Sequence, residues 1–395
     1  MGKHGFKVLD ADTHVYEPCE VLEKYLSTRW KEALAGSTTP IARTALRGGM
    51  HTYIVGDPKS GQRRLGSREK VTRPTAPSAD KRASGTPWGV QWKGPPWPTE
   101  RVNVDSHARV ADMDIEGVDV HVIIPTRGVN GFASADDVGL ELAMYEAYHR
   151  YMADYCGPHP TRLKSIILAS GRDIDGTVKE IERCAKEAWP VALFPITPVG
   201  MPIDDPGLDP LWARAVEYDL AVLVHPFNLS NPRSPGLADL WDNVFLERAA
   251  GGVWAGMRAV AAITGSGMLD RFPAMRVGVV ETGHGWLASW AFHLDEVAEM
   301  TEYAIAHLSR KPSDYVRGPQ FFQSIEMHEG EGTVRSIIEL LGPDTLMFGT
   351  DYPHTECWFP KSVETILGWS TISDEAKRKL LWDNGASLYR RCQGA

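Results

Sequence analysis

From about residue 110 onward, short apolar runs alternate with stretches of helical periodicity, and one further run stands near the N-terminus. The runs fall at 6–11, 118–125, 163–169, 190–196, 219–225, 275–281, 321–326 and 345–350. Most are continuous in apolar residues instead of alternating, which is the pattern of parallel strands covered on both faces. Helical patterns occupy 137–156, 174–188, 208–218, 285–308 and 331–341, and 360–369 with 373–391 end the chain. A longer helical stretch at 239–270 precedes the sixth run. This alternation predicts an α/β fold, a (β/α)8 TIM barrel, in preference to an open doubly wound sheet. No GxGxxG follows the first run, which weakens the dinucleotide-binding alternative.

Residues 37–105 break the pattern. They are rich in Pro, Gly, Arg and Ser and carry Trp88, Trp92 and Trp97. The segment His51–Val55, followed by Gly56-Asp57-Pro58, predicts a small hairpin. A loop this long inside a compact domain is usually functional. It reads as an insertion after the first strand of a single domain, 1–395. A lid on the catalytic face and an arm across a dimer interface are both open, since the tryptophans need an apolar environment.

Composition excludes several classes. At 395 residues the chain is long for one domain, but a barrel with insertions reaches this size. A net charge of −9 argues against nucleic acid as a partner. No apolar run is long enough to span a membrane, and no signal-peptide pattern precedes the first strand. Five scattered cysteines without a CxxC pair suit a reducing cytoplasm.

Candidate chemistry sits where the predicted strands end. Asp12 and His14 follow the first run, His225 ends the fifth and Asp351 follows the eighth. Carboxylate and imidazole hold divalent metals with an open coordination position. In a parallel barrel these strand ends converge on one face. Asp12 and His14 alternate, so both can face the same side of the sheet. Arg127 follows the second strand and could clamp a substrate carboxylate or form a loop salt bridge. Glu326 and His328 follow the seventh, and His354 and Glu356 follow Asp351; pocket and structural roles are both open for these. Asp10 reads as facing the barrel exterior or capping a turn. Glu17 reads as supporting the site from behind or starting the first helix, with Pro18 as a start signal.

These residues resemble the amidohydrolase-2 family, which contains the aminocarboxymuconate-semialdehyde decarboxylase-like enzymes of the amidohydrolase superfamily. The resemblance rests on Asp10-Ala11-Asp12-Thr13-His14-Val15-Tyr16-Glu17-Pro18 and Asp112-Met113-Asp114-Ile115-Glu116-Gly117-Val118-Asp119-Val120. It continues through Arg271-Phe272-Pro273, Glu281-Thr282-Gly283-His284-Gly285-Trp286, Phe348-Gly349-Thr350-Asp351-Tyr352-Pro353-His354 and Asn384-Gly385-Ala386-Ser387-Leu388-Tyr389. It implies one divalent ion, zinc first and manganese as the alternative, held by Asp12, His14, His225 and Asp351. Family members often carry His-x-His or Glu-x-His at the first pair; the Asp-x-His of this chain adds hard oxygen ligation and strengthens the case for manganese.

In several family decarboxylases a histidine ends strand six. Here Glu281 follows the strand and His284 comes three residues later. The expectation is that His284 handles the proton, because imidazole titrates near neutral pH. Glu281 is the alternative, or it orients a neighbouring ligand. Asp351 is expected both to touch the metal and to move a proton. Arg127, His328 and His354 are the candidate substrate contacts. The resemblance implies either non-oxidative decarboxylation of an aromatic or unsaturated carboxylic acid, or hydrolysis of a C–C, amide or ester bond by activated water. Decarboxylation is the expectation, because tryptophans near a long insertion suit a flat, aromatic-lined pocket. A barrel that has lost catalysis is the third class. The expected partners are a small carboxylate or carbonyl substrate and a second copy in a homodimer.

Overall fold

The computed structural model describes residues 2–36, 41–45, 51–55, 100–126, 137–198, 200–226, 244–354 and 357–393. Its strands are β1 (Leu9–Val15), β2 (Ile41–Ala45), β3 (His51–Val55), β4 (Val120–Pro125), β5 (Leu163–Ser170), β6 (Pro190–Ile196), β7 (Ala221–Val224), β8 (Val277–Val279), β9 (Phe321–Ser324) and β10 (Leu346–Met347). Eight of them form one sheet in the order β1-β4-β5-β6-β7-β8-β9-β10. Every neighbouring pair in it is parallel.

Backbone hydrogen bonds bring the last strand round to the first. The Ala11 N–H donates to Phe348 O at 2.9 Å, the Asp351 N–H to Asp12 O at 2.9 Å and the His14 N–H to Tyr352 O at 2.6 Å. The fold is thus the expected (β/α)8 barrel. Every residue of β4, β5 and β6 is buried, which explains their continuous apolar runs. Each fully buried Leu, Ile, Val or Phe of this layer contributes about 1.5–3 kcal/mol relative to exposure.

The C-terminal helix Asn384–Leu388 braces the strands that carry the site. The Asn384 side-chain amide donates to the carbonyls of Pro343 (2.9 Å) and Leu346 (2.6 Å), and the Tyr389 hydroxyl donates to Ala11 O at 3.1 Å. Gly278 has to be small here, since a Cβ would come within 2.5 Å of Leu388.

The structure differs from the sequence expectation at several points. β1 runs on to Val15, so Asp12 and His14 lie inside the strand. β7 to β10 are shorter than their apolar runs. After β8 and β10 the chain leaves extended geometry at Glu281 (φ 52°) and Asp351 (φ 61°). The stretch 239–270 divides into Val244–Gly265 and Met268–Arg271, with Gly267 at φ 75° before the second piece. Helices Cys19–Tyr25, Thr28–Ala35 and Ser106–Glu116 had no clear periodic signal; the last is capped by Asp105, which accepts from the His107 and Ala108 N–H groups. The hairpin exists: His51–Val55 pairs antiparallel with Ile41–Ala45 upstream. Trp88, Trp92, Trp97, Arg127 and Glu356 lie outside the described residues.

Candidate active site

Four strands deliver buried ligand atoms to one place. β1 supplies Asp12 and His14, the residue after β7 is His225, and the turns after β8 and β10 supply Glu281 and Asp351. His14 Nε2 lies 3.0 Å from Asp351 Oδ1, 3.4 Å from Asp12 Oδ1 and 3.4 Å from Glu281 Oε2. His225 Nε2 lies 2.6 Å from that same Glu281 oxygen. His354 adds a further imidazole. Its Nδ1 is 2.7 Å from Asp351 Oδ1, and its ring stacks on His14 at 4.1 Å between centroids.

Asp12, His14, His225 and Glu281 each offer one ligand atom, and these lie within 4.8 Å of one another; the same holds for His14, Glu281, Asp351 and His354. Asp12 Oδ1, His14 Nε2, Glu281 Oε2 and both Asp351 oxygens are buried without a hydrogen bond among the described residues. Buried polar atoms left unbonded are costly. A set of carboxylate and imidazole atoms this close together, with that deficit, fits a divalent cation.

The electrostatics also call for positive charge. Burial alone would lower His14, but the Asp351, Asp12 and Glu281 carboxylates raise it well above the ordinary imidazole range. Burial opposes ionisation of Glu281, yet His225 and His14 hold it well below the usual range. Asp351 moves up, first through burial and then through the Glu281 charge. Glu281 and Asp351 both occupy left-handed backbone that residues other than glycine rarely adopt. Conformations of this kind cost about 1–3 kcal/mol each and concentrate at functional sites.

A supporting layer holds the ligands. Asp10 lines a cavity with Met113, Glu116 and Thr350, so it faces the layer between β1 and the helix Ser106–Glu116. It is buried and ties β1 to the turn that carries Asp351. Its Oδ1 accepts from the Thr350 N–H (3.1 Å) and the Asp12 N–H (3.3 Å), and its Oδ2 accepts from the Thr350 hydroxyl at 2.5 Å. The Thr126 hydroxyl sits between His14 Nδ1 (3.3 Å) and His354 Nε2 (3.1 Å). Arg109 is fully buried; it donates to the His14 carbonyl and, at 3.0 Å, to the Tyr155 hydroxyl. Neither Thr126 nor Arg109 stood out in the sequence. Arg109 belongs to a polar stretch, Ser106-His107-Ala108-Arg109, that looks like an exposed helix face. Glu17 is buried, next to the helix that begins at Cys19.

The expected site residues thus divide. Asp12, His14, His225 and Asp351 come together. Glu281, expected as the alternative proton handler, stands among the ligand atoms. His284 is fully buried on the same turn; its Nδ1 accepts from the Glu326 N–H at 3.0 Å, and its Nε2 has no hydrogen-bond partner among the described residues. His354 joins the cluster. His328 does not: its side chain is 68% exposed and 3.9 Å from Glu326. Glu326 itself is 19% exposed, and burial together with the charges of Glu281, Asp351 and Asp12 raises it well above the usual range.

A second cluster, His149, Glu180 and Cys184, is different in kind. His149 Nδ1 is 2.7 Å from Glu180, its Nε2 accepts from the Leu168 N–H, and Arg183 holds the carboxylate. Its atoms are satisfied internally, as in a structural hydrogen-bond network.

Comparison with known proteins adds to this geometry. The sequence profile of the amidohydrolase family matches residues 91–391. The chain is 25% identical over 259 residues to gamma-resorcylate decarboxylase of Polaromonas sp., covering 61% of this chain and 74% of that protein. Its structure resembles 5-carboxyvanillate decarboxylase from Sphingomonas paucimobilis, with a TM-score of 0.66, 21% identity and coverage of 98% and 99%. It also resembles 5-carboxyvanillate decarboxylase from Novosphingobium aromaticivorans, solved with manganese and 3-methoxy-4-hydroxy-5-nitrobenzoic acid, with a TM-score of 0.68, 17% identity and 99% coverage of both chains.

Proposed function

The chain belongs to the amidohydrolase family, and on that footing we propose that it is a metal-dependent decarboxylase. Its substrate is a small aromatic carboxylic acid with an oxygen substituent beside the carboxylate. The observation that carries this reading is the convergence of buried, hydrogen-bond-deficient carboxylate and imidazole atoms, with the buried His284 three residues beyond Glu281. The decarboxylases among the relatives favour this reaction over hydrolysis.

His14, His225, Glu281 and Asp351 would hold the ion, with Asp12 beside them. Such an ion would supply positive charge that attracts an anionic substrate and stabilises the negative charge that develops as CO2 leaves. The chain's own residues do the rest. Arg109 and Thr126 fix the His14 backbone and ring, and Asp10 fixes the turn of Asp351. Loss of CO2 breaks the C–C bond and leaves its electron pair on carbon, where a proton must arrive. His284 Nε2 carries that proton, with Asp351 as the neighbouring acid. Phe194, 5.9 Å from the His225 ring, and Tyr16, 5.4 Å from the His354 ring, supply aromatic wall against water.

Glu281 adds a second carboxylate to Asp351 in the ligand set, with Asp12 beside them, and this hard oxygen character sets manganese ahead of zinc in this reading. The assembly is a homodimer, since two-fold pairs are the commonest oligomers. The location is cytoplasmic, because the five buried cysteines are unbridged. No helix among the described residues is long and apolar enough to cross a membrane.

The test is CO2 release from a panel of hydroxybenzoates by metal-stripped and manganese-reconstituted protein. Release that returns with the metal is expected. No release from any member, with hydrolysis of ester or amide probes instead, would overturn the reading.

A further inference from the structure

His284 Nδ1 has two neighbours with opposite requirements. The Glu326 backbone N–H donates to it at 3.0 Å, which needs a lone pair on nitrogen. Glu329 Oε2 lies 3.0 Å from the same atom, which calls for an N–H. A single ring nitrogen cannot meet both at once. While Nδ1 accepts from Glu326, a neutral ring must carry its proton on Nε2. A doubly protonated ring gives up the Glu326 bond and needs an acceptor at Nδ1, and the Glu329 carboxylate is already in place.

The Glu329 seat is built into the turn. Glu329 Oε2 also accepts from the His284 N–H (3.1 Å) and the Gly285 N–H (2.6 Å). Gly283 and Gly285 leave room for it. A Cβ at Gly283, which has φ 74°, would stand 2.6 Å from Glu329 Oε1; one at Gly285 would stand 3.2 Å from Oε2. Burial of Glu329 opposes ionisation, but the His284 side chain and the two backbone N–H groups bring it down to about 2. The carboxylates on the elements packed around the ring are Glu329 and Glu326, from the segment after β9, and Glu281 on its own turn.

We propose that Glu329 is the positioning residue that lets His284 alternate between two docked states, the neutral ring on the Glu326 N–H and the imidazolium on the Glu329 carboxylate. Nε2, buried without a partner, is the atom left for the substrate. This rests on the decarboxylase reading for its chemical consequence. As CO2 leaves, the Nε2–H bond breaks and the electron pair left on carbon takes the proton. This leaves the ring transiently with its other proton on Nδ1 against Glu329; a solvent proton then returns to Nε2, and release of the Nδ1 proton to solvent restores the resting neutral ring on the Glu326 N–H.

Glu329→Gln tests this in the full-length protein, loaded with manganese for kinetics and with diamagnetic zinc for NMR, because the amide oxygen can still accept from both backbone N–H groups while the charge is gone. The variant is expected to keep its metal and melting temperature. Its kcat should fall roughly 100-fold with KM little changed. The limb of its kcat–pH profile that reports the charged ring should move to lower pH, because the charge that favoured the imidazolium is lost. Nitrogen NMR of 15N-histidine protein, assigned through His284→Gln, reads the ring directly and needs no substrate. The neutral wild-type ring should carry its proton on Nε2, and double protonation should need lower pH in the variant. A neutral wild-type ring protonated on Nδ1, or identical ring titration in both proteins, would overturn the proposal. If the NMR shift is found but no acid releases CO2, the positioning role stands and the decarboxylase reading falls.

Discussion

Glu281 and His225 meet 2.6 Å apart, carboxylate oxygen to imidazole Nε2, across the ends of neighbouring strands β8 and β7. Glu281 itself takes a left-handed conformation, φ 52°, two residues after the strand ends. That one backbone turn sends the carboxylate to the ligand cluster and leaves His284, three residues on, with a separate task.

Glu281→Ala is therefore expected to lose bound metal, at least about 10-fold in affinity, together with turnover. His284→Gln is expected to keep its metal and lose roughly 100-fold or more in kcat. Elemental analysis of each purified variant beside its steady-state kinetics checks both. Full metal in Glu281→Ala would remove it from the ligand set.

Arg109 links the first strand's ligand to a buried tyrosine. Replacing it by Met strips the His14 carbonyl of its donor and takes from the Tyr155 hydroxyl, which itself donates to Val102 O, the hydrogen bond it accepts. The expected loss is about 3 kcal/mol in urea unfolding, with metal affinity reduced about 10-fold. A stability unchanged within error would show that the guanidinium does not hold this strand.

Glu116 gives a pH signature outside the metal cluster. Burial raises its carboxyl to about 7, against the pull of Val363 N–H and Lys3. An unfolded glutamate titrates near about 4.3. Below that pH the carboxyl is protonated in both states. Between the two values the unfolded chain releases a proton that the folded protein keeps, so stability falls as pH rises, by up to about 3 kcal/mol. Glu116→Gln keeps an acceptor for the Val363 N–H, which donates at 2.8 Å, and removes the charge. The variant's stability advantage should grow from pH 5 to pH 8. An advantage that stays level across that range would contradict the assignment.

His354 and His328 separate by burial. His354 is buried against His14, whereas His328 is mostly exposed. His354→Ala should lower kcat/KM at least about 10-fold, and His328→Ala should leave it nearly unchanged. A large loss in His328→Ala would place substrate further out along the β9 segment.

The barrel was legible because strands buried on both faces write themselves as continuous apolar runs. Asp12, His14, His225 and Asp351 were legible for a related reason: ligand residue types directly follow such runs, and parallel strands bring their ends together. That Glu281 would join them was not, since nothing local announces that a glutamate will take φ 52°. Asp10, Thr126 and Arg109 were hidden because their partners lie far along the chain; the Asp10–Thr350 bond spans 340 positions. His328 misled because it follows β9 closely, yet the short helix Met327–Glu329 carries its side chain outward and turns Glu329 toward His284.

The central claim is that this site removes CO2 from an aromatic acid and returns one proton to the vacated carbon. The most direct measurement is mass analysis of product formed by the metal-loaded protein from 2,6-dihydroxybenzoate in D2O enriched in 18O. The expected product carries one deuterium bound to carbon, no oxygen from solvent, and appears with an equal amount of CO2. A product containing solvent oxygen, with no CO2 released, would make the enzyme a hydrolase and contradict the account.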